Sequence, residues 1–232
     1  MSVQGRAKGA KVSQQDEIRC LVVGQLQTNC YAYVSDDQCL VIDPGASGAR
    51  IAEALGDVQV TQVVATHAHH DHVGGVKALV EATGAPWAIG HADADRSARA
   101  IELSSHVFDV ADAQRQEIAD PPAPDRLLHE GDRVEVGSAR FAVYETPGHT
   151  PGGIILVGEG SAEGVAFMGD TLFAGSCGRT DLLGGDPQVM RETLARLRTL
   201  IDPAVTLLCG HGPATTMQRE LASNPFLQER GW

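Results

Sequence analysis

The stretch Thr66-His67-Ala68-His69-His70-Asp71-His72 sets four imidazoles and one carboxylate within six consecutive positions. It closes an apolar run and opens a segment with helical spacing. Side chains alternate along an extended backbone, so His67 and His69 project to one side. Asp71 and His72 lie one step further, where the chain bends into the helix. One short loop can therefore offer two donors to one ion and two to another. Imidazole and carboxylate suit zinc, iron or manganese, and the lack of a thiolate disfavours copper(I). The plainer alternative is a solvated His-rich turn, against which five possible donors in six positions weigh heavily.

Three more donors stand far along the chain. His149 sits in TPGHTPGG, a tight Gly/Pro turn between two strands; Asp170 ends the run VAFMGD, and His211 follows VTLLCG. Each is next to a glycine, where backbone can bend closely around an ion. Alone, each is more often a turn residue or a helix cap. With the first loop they complete the shell that a four- or five-coordinate ion requires.

The elements that position these donors read as short strands and helices in alternation. CLVVG, NCYAYVSDD and QCLVIDPG are β-rich runs separated by turn residues, the pattern of an antiparallel meander. GARIAEAL has helical spacing, and QVTQVVAT is a compact apolar run that reads as a buried strand. VGGVKALVEATG is helical with a closing glycine, and PWAIG is the next strand. Between His91 and Glu130 the pattern is weakest: ADADRSARAIEL is read as helical, and the Pro-rich, acidic EIADPPAPDRLLHEG as a long surface loop or lid. RVEVG and RFAVYET alternate as a hairpin; GGIILVG, GVAFMGD and VTLLCGHG are further strands. DPQVMRETLARLRTL is amphipathic, with Met190, Leu194, Leu197 and Ile201 along one side, and TTMQRELAS is a closing helix. Two strand-rich halves interleaved with helices imply two packed sheets with helices outside, although composition leaves several α/β layouts open.

The order HxHxDH, TPGHT, GD, GHG resembles the metallo-β-lactamase superfamily, and FAGSCGRTDLLGGD, GHGPAT and NPFL are similar to compact bacterial glyoxalase II-like hydrolases. The resemblance runs from about Leu21 to the C-terminus. It implies an αββα sandwich of two mixed sheets, helices on both outer faces and two divalent ions at one edge, zinc first with iron or manganese as alternatives. His67, His69 and His149 then hold one ion, Asp71, His72 and His211 the other, and Asp170 bridges them. Asp71 and Asp170 serve the catalytic step beside the attacking water. His70 occupies the variable place of the motif and is not carried over. Asp43, in IDPG, is either a carboxylate that orients a ligand histidine or a turn cap.

Paired cations lower the pKa of a shared water from ~15.7 toward ~7 and polarise a carbonyl, chemistry suited to an acyl thioester, lactone or ester. The resemblance names S-D-lactoylglutathione as the first candidate substrate. Larger glyoxalase II enzymes add a C-terminal helical domain with basic contacts to glutathione, so the thiol moiety stays open here. Rival readings are a mononuclear iron persulfide dioxygenase using His67, His149 and Asp170, another ester hydrolase, an RNA-processing relative and a non-catalytic metal module. No G-x-S-x-G elbow is present, although Ser47 lies in GASG. Cys177, in SCGRTD, is read as packing. Arg179 and Asp181 either meet a substrate carboxylate or fix their own loop.

Composition bounds the rest. The 232 residues are 43% hydrophobic and 4% aromatic, so aliphatic side chains must fill the core. Thirty acidic against 18 basic residues give a net charge of −12, which opposes nucleic acid as a partner. No apolar run approaches the roughly 20 residues of a membrane span. Residues 1–16 are expected to be a flexible tail without an export signal, and residues 17–232 a single domain. Five scattered cysteines without a C-x-x-C pair read as free thiols of a cytoplasmic protein.

Overall fold

The computed structural model describes residues 3–4, 16–104, 110–115, 117–228 and 231. The first sheet joins β1 (Val3–Gln4), β2 (Glu17–Val23), β3 (Thr28–Ser35), β4 (Gln38–Ile42), β5 (Gln59–Ala65), β6 (Trp87–Gly90) and β7 (Arg126–Leu128) in sequence order. Pairing is antiparallel from β1 to β4 and parallel from β4 to β7. The second sheet is built from β8 (Arg133–Val136), β9 (Ala139–Glu145), β10 (Ile154–Glu159) and β11 (Val165–Gly169). A small hairpin, β12 (Leu172–Phe173) with β13 (Ser176–Cys177), precedes β14 (Thr206–Cys209) and β15 (Thr215–Thr216). The order in the second sheet is β15-β14-β11-β10-β9-β8, with β11 and β14 parallel.

Strand alternation decides the layers. In β4, Cys39 and Val41 face one cluster while Leu40 and Ile42 face another; in β10, Ile154 and Leu156 turn inward and Ile155 outward. Both faces of these strands are apolar because both are covered. Between the sheets lie Tyr31, Tyr33, Leu40, Ile42, Phe141, Ile154 and Phe167. The outer face of the first sheet is covered by α1 (Gly48–Leu55), α2 (His70–Val73) and α3 (Val76–Thr83) through Ile51, Leu55, Val73, Val76 and Leu79. Three short helices follow: α4 (Ala94–Ser97), α5 (Ala100–Leu103) and α6 (Val110–Arg115). The second sheet's outer face takes α7 (Pro187–Leu200) and α8 (Met217–Ser223), with Met190, Leu194, Leu197, Ile201 and Met217 buried. This is the αββα sandwich that the motifs imply.

Two expectations change, while the start of the 91–130 region is helical as read, in a 3₁₀ turn (His91–Asp93) and two single helical turns. Its Pro-rich end is not only surface loop, because Arg126–Leu128 adds a strand beside β6 and Leu128 is fully buried. Part of the expected tail, Val3–Gln4, pairs with β2 through Val3↔Leu21. The remainder of that tail, Asp16 excepted, lies outside the described residues, as do residues 105–109 and 116.

Candidate metal centre

β5 ends at Ala65, and the next four residues form the loop that opens α2. Its anchor is Asp43, directly after β4. That carboxylate accepts from Thr66 N at 2.6 Å and Thr66 Oγ1 at 2.8 Å, and its Oδ2 lies 3.0 Å from His72 Nδ1, close but poorly aligned for a hydrogen bond. Asp43 sits at φ +53°, a left-handed conformation that Asp tolerates better than most residues. Its carboxylate therefore holds the head of the loop at Thr66 and stands beside a donor histidine.

The loop carrying His149 is seated on α7. Asp186 caps that helix by accepting from Gln188 N and Val189 N, Pro187 occupies its first turn, and Asp186 N donates to Gly148 O at 2.8 Å. Gly148 has φ +130°, and a Cβ there would lie 2.5 Å from Met190 Cα, so only glycine lets the turn rest on the helix. Asp93 ties the two loops together. Its side chain, fully buried, accepts from Ala68 N and from Gly152 N, both at 2.9 Å. Asp170 follows β11 and His211 follows β14. The end of β14 is held by Asn29 Nδ2 and Tyr31 Oη, which donate to Cys209 O at 2.9 and 2.8 Å.

All seven expected donors converge. His67 Nε2 and His69 Nδ1 are 3.1 Å apart, and the His149 ring lies 4.8 Å from His67 and 4.5 Å from His69, centroid to centroid. His72 Nε2 lies 3.3 Å from His211 Nε2 and 3.5 Å from Asp71 Oδ2; His211 Nε2 is 3.1 Å from that same oxygen. Asp170 stands between the groups, Oδ1 3.3 Å from His72 Nε2 and Oδ2 3.5 Å from His149 Nε2 and 3.6 Å from His211 Nε2. His70 starts α2, with Nδ1 only within 4.0 Å of Asp71 Oδ1. Among the described residues, His67–His69–His149, His67–His72–Asp170 and Asp71–His72–His211 each bring donor atoms within 4.8 Å of one another.

The outward nitrogens show what the inward ones are for. His149 Nδ1 donates to Arg179 O at 2.7 Å and His211 Nδ1 to Leu26 O at 3.1 Å. Thr66 Oγ1 gives its proton to Asp43, so it accepts from His67 Nδ1 at 3.1 Å. A proton fixed on the outer nitrogen leaves the Nε2 lone pair facing the centre, the arrangement of a ligating histidine. His149 Nε2 and Asp170 Oδ1 are buried and make no hydrogen bond, a cost unless an ion takes the place of a partner.

The charge distribution agrees. Burial and the neighbouring imidazoles push His67 well below the ordinary imidazole value and His69 down to about 3, so both rings are neutral donors. Burial alone works to neutralise Asp71 and Asp170, yet His72 and its neighbours hold both below the usual carboxylate range. Burial likewise opposes a charge on His72, and Asp170, Asp71 and Asp43 overcome it. Three carboxylates around one buried imidazole draw positive charge to this point.

The centre opens into a cleft of about 470 Å³. Its other walls are mostly apolar: Leu26, Leu103, Phe173, Leu182 and Leu183, with Arg96 and Arg179 among them. Leu26 and Leu183 are 54% and 65% exposed at its mouth. Arg179 pairs with Asp181 through two 2.7 Å bonds, so the side chains fix their own loop, and the useful atom is the Arg179 carbonyl behind His149. Burial pushes the Cys177 thiol up to about 11, which fits packing and not nucleophilic chemistry. Sequence reasoning missed Asp93, Thr66, the Thr28 hydroxyl that donates to Asp71 Oδ2 at 3.0 Å, and both backbone carbonyls. A buried acid in a single turn leaves no periodic trace, and a carbonyl leaves none at all.

Fold and site together define a metal-binding hydrolase scaffold. A model of the metallo-beta-lactamase superfamily matches residues 23–211, and the chain belongs to that superfamily. Hydroxyacylglutathione hydrolase GloC of Haemophilus influenzae is 29% identical, with 92% of this chain and 99% of that one covered. Among solved structures, BLEG-1 B3 metallo-beta-lactamase aligns at 30% identity and TM-score 0.80 over 90% of this chain and 99% of that one. TTHA1623 in a di-iron-bound form aligns at 34% identity and TM-score 0.77, with the same coverage.

Proposed function

We propose that the chain is a dinuclear metal-dependent hydrolase of the glyoxalase II type that cleaves a small acyl thioester, with an S-acyl glutathione such as S-D-lactoylglutathione as first candidate. The observation that carries this is the convergence of seven donor side chains from loops of both sheets, five of which line one cleft. Two relatives support it: the likeness to GloC points to the substrate class, and the likeness to the di-iron form of TTHA1623 makes iron the alternative to zinc. His67, His69 and His149 would hold one ion and Asp71, His72 and His211 the other, with Asp170 in reach of both groups. Bound there, two divalent ions supply an acidified water and polarise the scissile carbonyl.

The chain's own groups do the remainder. Asp71 and Asp170 stay ionised at neutral pH, so both present anionic oxygens that would hold the cations and accept a hydrogen bond from water rather than donate one. The Arg179 and Leu26 carbonyls keep the His149 and His211 rings aimed inward. The leucines and Phe173 at the cleft exclude bulk water and receive the apolar part of the substrate. No side-chain nucleophile is required, and Cys177 is too weak an acid to be one. A small-molecule substrate, no nucleic-acid partner and a cytoplasmic location belong to the same proposal. They rest on the charge of −12 and five unpaired thiols; no helix among the described residues is long and apolar enough to cross a membrane.

The test pairs metal quantification of the purified protein with a panel of thioester, lactone and β-lactam substrates. Two zinc or iron equivalents and thioester turnover are expected. His149→Ala and Asp170→Ala should each abolish turnover while the circular dichroism spectrum stays native; unchanged turnover removes that residue from the mechanism. A single iron with oxygen uptake replaces hydrolysis by the dioxygenase reading.

A further inference from the structure

A second group of donors stands away from the cleft. β6 and β7 run parallel with Gly90 opposite Leu128, so the residues that follow them, His91 and His129, leave neighbouring strand ends side by side. Their rings stack, with centroids 4.3 Å apart and planes inclined by 22°. Glu145, the last residue of β9 in the other sheet, brings Oε1 within 3.2 Å of His91 Nδ1. One donor atom from each of the three lies within 4.8 Å of the others. A tetrahedral ion with bonds of about 2.1 Å sets its donors roughly 3.4 Å apart. Stacked rings aim their lone pairs nearly parallel, so one imidazole must turn for both to meet an ion; that turn falls on half-exposed side chains and leaves the backbone alone, because Ile89, Leu128 and Val143 anchor the three strand ends in the core.

The surroundings favour an ion here. Glu130 N donates to Glu145 Oε1 at 3.2 Å and orients the carboxylate. The nearby Arg196 guanidinium is paired with the Glu130 carboxylate and does not claim that of Glu145. Two imidazoles and one carboxylate form a set that binds zinc-class ions with water completing the shell, and copper(II) binds such a set more tightly still. We propose that His91, His129 and Glu145 form a further divalent transition-metal site where the ends of the two sheets meet. None of the three lines the catalytic cleft, so the site is independent of the reading given above.

The full chain and its variants are dialysed against micromolar free zinc, and the bound metal is counted by mass spectrometry. His91→Ala and His129→Ala should each bind one equivalent fewer than the parent protein. Glu145→Gln, which removes the only anionic donor, should bind that equivalent more weakly than the parent. All three should keep the parent's turnover. Equal zinc content in the parent and both histidine variants overturns the proposal. Loss of turnover in either histidine variant does so too, by placing the residue with the catalytic centre.

Discussion

Removing the Asp93 carboxylate should loosen the centre without touching a donor. Asp93 is fully buried and accepts from the amides of Ala68 and Gly152. Ala68 lies between two donor histidines and Gly152 three residues after the third, so the carboxylate sets the distance between the loops. In Asp93→Ala both buried amides lose a charged acceptor. Hydrogen bonds to charged groups are worth about 1.5–3 kcal/mol each, so the loss is about 3–6 kcal/mol, a large share of the ~5–15 kcal/mol that holds an ordinary domain. Asp93→Asn keeps one acceptor and turns an amide group toward the other donor, so it should fall between. The measurement is equilibrium unfolding in guanidinium, run on metal-free and metal-loaded protein. The loaded variant should also release zinc at least tenfold more readily, because the ring of His149 no longer has a fixed relation to those of His67 and His69. If Asp93→Ala unfolds within about 1 kcal/mol of the parent and keeps its metal affinity, the clamp does not exist.

Other outcomes follow from the same geometry. A Cβ at Gly210 would lie 2.4 Å from Asp170 Oδ1 and 2.8 Å from His72 Cε1, so Gly210→Ala should lose metal while its secondary structure stays native; full metal content in that variant contradicts the described packing. With its pKa near 11, the Cys177 thiol is about 0.1% ionised at pH 8. Alkylation of native protein there should run about a hundredfold slower than for a free thiol and speed up as pH rises toward 11. Cys177→Ala should retain turnover, and its loss would reinstate a chemical role for the thiol.

Most elements were legible because alternation and helical spacing are strong where both faces of a strand are covered, as in Cys39–Ile42 or the Met190–Ile201 stripe of α7. β7 was not. It is three residues long, follows prolines, and buries Leu128 while Leu127 stays 44% exposed, so neither length nor pattern marks it. The donor residues were legible for a different reason: closely spaced histidines are rare without a task, and isolated ones gain meaning from their order along the chain. The groups that aim them could not be read this way. Asp93, Thr66 and the carbonyls of Leu26 and Arg179 act through direction and burial, and Asp43 looked as much like a turn residue as a support. The same chemistry that made His67 conspicuous left Thr66 beside it silent.

Each donor group draws on both sheets: His67 and His69 with His149, and Asp71 and His72 with His211. His72 and His211 meet across 139 positions of sequence. An ion bound there is a staple between the two halves of the molecule, and it favours the folded chain by mass action while spanning a stretch whose closure is entropically costly. A cell short of metal should consequently contain less of this protein, through degradation of the unstapled form, and not merely the same amount in an idle state.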